Sequence, residues 1–266
     1  MVGREIKDLF PKPQVQLGEE VLRVEGLSRI GYFKDVSFSV RKGEILGLTG
    51  LVGARRTEVV QTIFGAEKLA AGQIYLNGKE VKIKCPSDAM KLGIGLLPEN
   101  RQIEGLILDW GIGRNITLTE LGHYVGKLFL NEKLENDTSK DLAEQVDTKA
   151  VSVFDKASSL SGGNQQKVVV AKALGSDFKV LVLDEPTKGV DVGAKAAIYE
   201  IMGDLAQQGY AIIMISSEMP EILGMADRIV VMCEGRVTGE LSRDEATQEK
   251  ILELAMAKQT AAEGSV

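Results

Sequence analysis

The chain has 266 residues, 32 of them basic and 38 acidic, for a net charge of −6. That length can bury one large core with at most a satellite subdomain, and the acidic balance lacks the basic footprint of a protein that works on nucleic acid. Cys85 and Cys233 stand far apart with no C-x-x-C spacing, which excludes a disulfide framework and a zinc site; apolar runs such as Ala211–Ile215 fall far short of the roughly 18 residues of a membrane span, and Met1-Val2-Gly3-Arg4 opens no signal peptide.

Residues 1–18 hold Asp8-Leu9-Phe10-Pro11-Lys12-Pro13, where two prolines force extended backbone, and read as a linker. From Leu22 apolar and polar residues alternate, Leu22 and Val24 first and then Val36, Phe38 and Val40, which predicts two half-buried strands. Lys42-Gly43 turns into Ile45-Leu46-Gly47-Leu48, an apolar run suited to a strand buried on both faces, followed by a glycine-bearing loop and a helix. Ile74 and Leu76 lead to Asn77-Gly78, and Val81 and Ile83 resume the alternation, the pattern of a hairpin. Ile94–Leu97 predicts another strand, ending at Pro98-Glu99-Asn100-Arg101.

Over 111–158 the period weakens and 131–146 is helix-prone, so a peripheral helical subdomain is expected over about 107–176. Val180-Leu181-Val182-Leu183 predicts a second buried strand, with a helix over 194–205 and strands over 211–215 and 229–232. Strands alternating with helices imply a parallel sheet, so the fold class is α/β: a mixed or parallel core sheet, an N-terminal antiparallel β subdomain and a helical subdomain. Ser242-x-x-Glu245 reads as a capping box for a last helix whose face carries Ile251, Leu252, Ala255 and Met256.

Three stretches carry chemistry. Leu160-Ser161-Gly162-Gly163-Asn164-Gln165-Gln166 opens a helix, where bare amides carry partial positive charge and glycines let a phosphate approach; equally, Ser161 is an ordinary N-cap for the amide near Asn164. Gly50-Leu51-Val52-Gly53-Ala54-Arg55-Arg56-Thr57 sits between a buried strand and a helix, the context of a phosphate loop, but Arg55 and Arg56 stand where G-x-x-x-x-G-K-[ST] requires glycine and lysine. Arginine is a planar fork on a longer reach, and Arg55 puts bulk where amides should wrap a phosphate; a strand–turn–helix without function stays open beside a weakened site. Asp184 and Glu185 end a buried strand, the edge where open α/β sheets bind ligands; one carboxylate suits Mg²⁺ and the next an attacking water, and a plain acidic strand end is the alternative. Asp184 follows Gly163 by 21 residues, room for one helix, a turn and a strand.

Taken together, residues 160–166, 180–191 and the Gly50 loop resemble the signature, Walker B with D-loop, and Walker A of ABC transporter ATPases, in that family's order from about Leu22 to Met256. More narrowly, Leu160 to Lys167, Gly189-Val190-Asp191-Val192-Gly193-Ala194-Lys195 and Ser216-Ser217-Glu218-Met219-Pro220-Glu221 resemble the second half of tandem monosaccharide-importer ATPases of the ribose and galactose type. The resemblance implies a P-loop NTPase fold, with a linker remnant at 1–18, an ATPase domain over 19–260 and a tail at 261–266. It implies ATP and Mg²⁺ as cofactors, Thr57 and Asp184 as metal-holding residues and Glu185 as the catalytic carboxylate. The chain's own nucleotide site would be Gly50, Gly53, Ala54, Arg55, Arg56, Thr57 and Glu99, with Asp191 in the D-loop.

The departures from the family pattern shape the expectation. Glu99 stands at the Q-loop glutamine and Ser217 at the switch histidine, while His123, the only histidine, falls in the helical subdomain and reads as a surface residue. With Arg56 also substituted, the resemblance implies a weak site in cis. In this family each nucleotide lies between one half's Walker loop and the other half's signature, so Ser161, Gly162, Gly163, Asn164 and Gln165 would complete the site of a partner half in trans. The implied partners are an N-terminal ATPase half of the same polypeptide, membrane permease subunits meeting the loop at 99–106, and, indirectly, a periplasmic sugar-binding protein, but no nucleic acid. The implied location is peripheral, at the cytoplasmic face of the inner membrane. Tyr32 and Phe33 compete as the adenine-stacking residue, and Phe33 reads equally as core. Alternatives are a non-catalytic nucleotide-binding or scaffold module of an ABC complex and a soluble ABC ATPase of translation or DNA repair, which the acidic balance disfavours; a P-loop kinase has no use for residues 160–166.

Overall fold

A computed structural model describes residues 10–126 and 129–257. The expectations for residues 1–9, for the end of the 19–260 domain and for the tail at 261–266 lie outside the described residues. Alternation of apolar and polar side chains builds β1 (Glu20–Arg29) and β2 (Phe33–Arg41), antiparallel with Leu22 opposite Val40 and Val24 opposite Phe38. β3 (Ile45–Gly50) leads into α1 (Arg56–Ile63). β4 (Ala71–Leu76) and β5 (Lys79–Val81) form the expected hairpin, and the first sheet runs β2-β1-β4-β5. Asn77 and Gly78 both take positive φ there, 49° and 74°, as a two-residue turn matching strand twist requires. Strand β5 stops at Val81; Ile83 lies beyond it and packs on the core from the connecting segment.

After α2 (Pro86–Lys91) comes β6 (Ile94–Leu97). The helical layer holds α3 (Ile112–Thr117), α4 (Leu121–Tyr124), α5 (Glu132–Gln145) and α6 (Gly162–Leu174). α5 begins where the sequence places it because the Asn131 side chain accepts from Leu134 N at 3.1 Å. Then come β7 (Val180–Asp184), α7 (Val192–Gln207), β8 (Ala211–Ile215), α8 (Met219–Met225), β9 (Arg228–Cys233), β10 (Arg236–Ser242) and α9 (Gln248–Ala255). The second sheet runs β10-β9-β3-β8-β7-β6, parallel except at the β10 edge.

Period two decides which side chains meet which layer. Leu46, Leu48, Val180, Val182, Ile213 and Val230 face the antiparallel sheet and α1, whereas Ile45, Leu181, Leu183, Ile212 and Met214 face α6 and α7. Each fully buried side chain of this kind contributes ~1.5–3 kcal/mol. The central sheet therefore delivers Gly50, Asp184 and Ile215, its strands' carboxyl ends, to one edge.

Two local expectations are corrected. Ser242 and Glu245 do bond each other, Ser242 N donating to Glu245 Oε2 at 3.2 Å, but they close a turn; the cap of α9 is Thr247, whose hydroxyl accepts from Lys250 N at 3.3 Å. On α9 the inward face is Ile251, Leu254 and Ala255, while Met256 is 61% exposed just past the helix end. His123 is exposed on α4 as expected, with Glu120 beside it. Among the described residues no helix is long and apolar enough to cross a membrane.

Candidate functional site

The edge formed by β3, β7 and β8 opens on a cleft of about 520 Å³ lined by Thr57, Gln61, Pro98, Glu99, Asn100 and Asp184 among others. Gly50 enters the loop at φ 154°, and a β-carbon there would sit 2.2 Å from the Met232 carbonyl oxygen, so only glycine closes β3 onto the loop. Gly53 also takes positive φ, and Ala54 is buried beneath it. Arg55 adopts a left-handed conformation, φ 72°, directly before α1, where glycine would sit without strain. Its guanidinium turns away along the helix to Glu58, 2.8 Å.

Arg56, one residue on, points inward. Its Nη1 donates to the Ser216 main-chain carbonyl at 2.8 Å and its side chain is buried. Burial lowers its pKa, against the attraction of Glu185, Asp184 and Glu99. The guanidinium fork is thus used to hold the end of β8.

Asp184 is 3% exposed, and burial, with Glu99 and Glu185 close by, raises its pKa to about 6. The Thr57 hydroxyl serves its carboxyl group, yet Oδ1 is buried without a partner. A buried carboxylate oxygen left open beside a threonine hydroxyl fits Mg²⁺, which takes few protein oxygens and completes its shell with water and phosphate. No cluster of three or more carboxylate, histidine or cysteine ligands competes for a metal among the described residues. Glu185 follows at φ 48°, its amide donating to Ile215 O at 3.0 Å and its Oε2 accepting from the Ser217 hydroxyl at 3.2 Å. Glu99 does not stand free: the Lys188 ammonium pairs with it across the cleft and is itself shifted upward in pKa by that bond.

Residues 160–166 sit elsewhere; none of them lines this cleft. Ser161 is the N-cap of α6, exposed, its Oγ accepting from Asn164 N at 3.5 Å and from Asn164 Nδ2 at 3.1 Å. Asn164 Oδ1 accepts from Lys149 N at 2.9 Å. Gly163 is buried: a β-carbon there would meet Ala194 Cβ at 2.4 Å, so glycine lets α6 and α7 close. The Gln165 side chain is buried, its Nε2 donating to Ala157 O at 3.3 Å and its Oε1 accepting from Gln102 Nε2 at 3.1 Å. Asp191 caps α7, accepting from Ala194 N at 3.0 Å. Of the two aromatics, Phe33 is core, 5% exposed, while Tyr32 is 41% exposed with the Arg29 guanidinium 3.8 Å over its ring.

Sequence reasoning missed three side chains. Arg101, in the π-turn after β6, donates to Lys188 O at 2.7 Å and Gly189 O at 3.2 Å, tying the loop at 99–106 to the turn that follows β7. Lys188 is the second. The third is Glu221, 2% exposed, which accepts from Thr187 Oγ1 (2.5 Å), Tyr199 Oη (2.6 Å), Ser216 Oγ (2.7 Å) and Lys195 Nζ (3.0 Å). Burial alone would raise its pKa, but these four donors hold it below the usual carboxylate range. An acidic residue in the first turn of α8 was the available signal, though spacing does not say that it points inward.

A six-stranded sheet delivering a glycine loop and an Asp-Glu strand end to one edge, with an antiparallel sheet and a helical layer packed on it, is an ATP-binding cassette. It aligns with the structure of an ATP-binding cassette of an ABC transporter at a TM-score of 0.77 and 24% identity, over 90% of this chain and 100% of that one. A dimeric ATP-binding cassette in a post-hydrolysis state bound to ADP and Pi aligns at 0.71 and 18%, over 84% of this chain and 98% of its own. A profile of the family described as "ABC transporter" matches residues 33–188, and the chain belongs to that family. It is 50% identical to the ribose import ATP-binding protein RbsA of Oceanobacillus iheyensis over 95% of this chain and 51% of that protein. With the RbsA of Bacillus subtilis it shares 50% over 96% of this chain and 52% of the relative. The chain thus spans about half the length of the curated relatives it matches.

Proposed function

We propose that this chain is the second nucleotide-binding half of an ABC importer for a monosaccharide of the ribose type, coupling ATP hydrolysis to transport. Its own site is weakened, and its signature completes the ATP site of a partner half. The observation that carries this reading is the contrast between the two ends of the cassette. Arg56 is committed to Ser216 O and Glu99 to Lys188, so the groups standing at the phosphate lysine and the Q-loop glutamine are both engaged within the protein. The Ser161 hydroxyl is exposed and Gly162 and Asn164 are half-buried at the start of α6, and a helix N-terminus is a ready anion site. The names of the RbsA relatives supply the substrate class, and their doubled length supports a partner half in the same polypeptide.

In this reading Thr57 and Asp184 hold Mg²⁺, which when bound offsets charge on the phosphate oxygens. Glu185, oriented by Ser217, accepts the proton of an attacking water. Ser161, Gly162, Gly163 and Asn164 present a hydroxyl, amides and the helix dipole to the γ-phosphate held by the partner half. The permease contacts the surface around 99–106, where Ile103 is 78% exposed, and the chain works as a peripheral subunit at the cytoplasmic face of the inner membrane. The test is steady-state ATPase activity of this chain alone, of an N-terminal half alone, and of the two together. Turnover confined to the pair is expected, and robust turnover by the isolated chain would contradict the division of labour.

A further inference from the structure

Residues 10–18, which the sequence presents as linker, lie packed on the cassette. The Phe10 ring rests against the Tyr199 ring of α7 with centroids 5.1 Å apart at 43°. It also fills the space that Gly224 of α8 leaves: a β-carbon there would lie 2.4 Å from the Phe10 ring. Pro13 sits over Gly203 of α7, where a β-carbon would come within 2.7 Å of the proline ring. Glycine inside a helix is unfavourable relative to alanine, so both helices give up stability at the places where the segment crosses them. Between these seats the Lys12 ammonium, only 6% exposed, pairs with Asp227, whose other oxygen accepts from Ile45 N at 2.9 Å. Gly18 N closes the segment onto Lys42 O at 2.9 Å.

A chain of hydrogen bonds leads from the seat of Phe10 toward the site. Tyr199, in tilted ring contact with Phe10, donates its hydroxyl to Glu221; Glu221 accepts from Thr187, the first residue of the D-loop turn, and from Ser216, whose carbonyl takes Arg56. We propose that Tyr199 and Glu221 are positioning residues through which the docked segment around Phe10 sets the order of the D-loop, residues 187–191, and of the β8 end that holds Arg56. Docking limits the motion of the Tyr199 ring and so fixes where its hydroxyl meets Glu221. A segment drawn off the cassette would release that hydroxyl and, with it, the shared acceptor of Thr187 and Ser216. Strain in the chain upstream is then felt at the nucleotide edge without any new contact being made there. This inference does not depend on which substrate is carried or on whether the cleft hydrolyses ATP.

Hydrogen–deuterium exchange of the full chain, read by mass spectrometry, tests it. Phe10→Leu keeps an apolar side chain in the seat but loses the ring contact, and Tyr199→Phe keeps the ring but loses the hydroxyl. Each is expected to speed exchange across 187–194 by at least about threefold while a control peptide spanning β9 and β10 is unchanged, because local opening is graded along a structure. The double variant is expected to exchange no faster there than the faster single variant, since both act through one link. Faster exchange confined to 10–18 and α7, with 187–194 unchanged, would overturn the proposal. So would an equal rise in the control peptide, which would make the segment a general stabiliser, or effects of the two substitutions that multiply. Should Phe10→Leu fail to fold, Tyr199→Phe carries the same test, with exchange at 187–194 against the control peptide deciding.

Discussion

Arg56 Nη1 donates to the main-chain carbonyl of Ser216 at 2.8 Å, across 160 residues of sequence, from a side chain only 9% exposed. Arg56 thus braces α1 against the residue that follows β8. A lysine there would present a compact ammonium on a shorter stem, able to turn toward a phosphate. Arg56→Lys is expected to tighten equilibrium binding of Mg-ATP by about tenfold, equivalent to ~1.4 kcal/mol. Unchanged or weaker affinity, measured by titration calorimetry, would show that the arginine does not limit the site.

Glu221 gathers three hydroxyls and an ammonium in a buried place. Replacing it with leucine leaves three hydroxyl donors without their acceptor, while Lys195 keeps Glu218 at 2.6 Å, and a buried polar group left unpaired costs about 1–3 kcal/mol. Glu221→Leu should lower the urea midpoint accordingly, with Glu221→Gln intermediate because its carbonyl still accepts. A loss below ~1 kcal/mol for the leucine variant would mean that water replaces the carboxylate at little cost.

Ser161→Arg is expected to abolish ATP turnover of the paired halves while lowering the melting temperature of this chain by no more than a few degrees, because Ser161 is exposed and gives up a long 3.5 Å cap bond and a 3.1 Å bond from Asn164 Nδ2, at about 1 kcal/mol. Gly163→Asp is a poorer probe: its β-carbon collides with Ala194, so lost activity there would mix misfolding with lost phosphate contact. Full activity of the Ser161→Arg pair would remove the signature from the trans site.

Lys172 on α6 carries its ammonium into a cleft between β6, α6 and the π-turn, against the Gly105 carbonyl, and burial lowers its pKa to about 8. Between about pH 8 and 10.5 the unfolded chain keeps this proton while the folded chain has lost it. Stability therefore gains from this group as pH rises through that window, by at most ~1.4 kcal/mol per unit, and below pH 8 its contribution is constant. In urea titrations from pH 8 to 10 the unsubstituted chain should show a more positive slope of stability against pH than Lys172→Met; equal slopes would place the lysine in water.

Much of this protein was written in local patterns. Val180-Leu181-Val182-Leu183 and Ala211–Ile215 announce buried strands because a strand covered on both faces needs apolar side chains at every position, and Asn77-Gly78 announces its turn because both residues tolerate positive φ. Ser161, Asn131 and Asp191 likewise cap the helices that follow them, a bond that spans three residues and needs nothing distant. The same short reach explains the error at Ser242 and Glu245: an i, i+3 bond closes a turn as readily as it starts a helix, and only the path of the chain after β10 places the cap at Thr247.

What the sequence by itself determined was the order of strands and helices and the residue types that reach one sheet edge, since these follow from side-chain period and local backbone preference. Tertiary structure decided where the long polar side chains of that edge would bond. Arg56 could have faced a phosphate, Glu99 could have stood open, and Gln165 could have pointed outward; each found a partner 160, 89 or 63 residues away. Phe10 found its seat on Tyr199 in the same way, where Gly224 leaves room for its ring. A buried donor or ring takes the nearest partner the completed fold offers, and no local spacing encodes which partner that is.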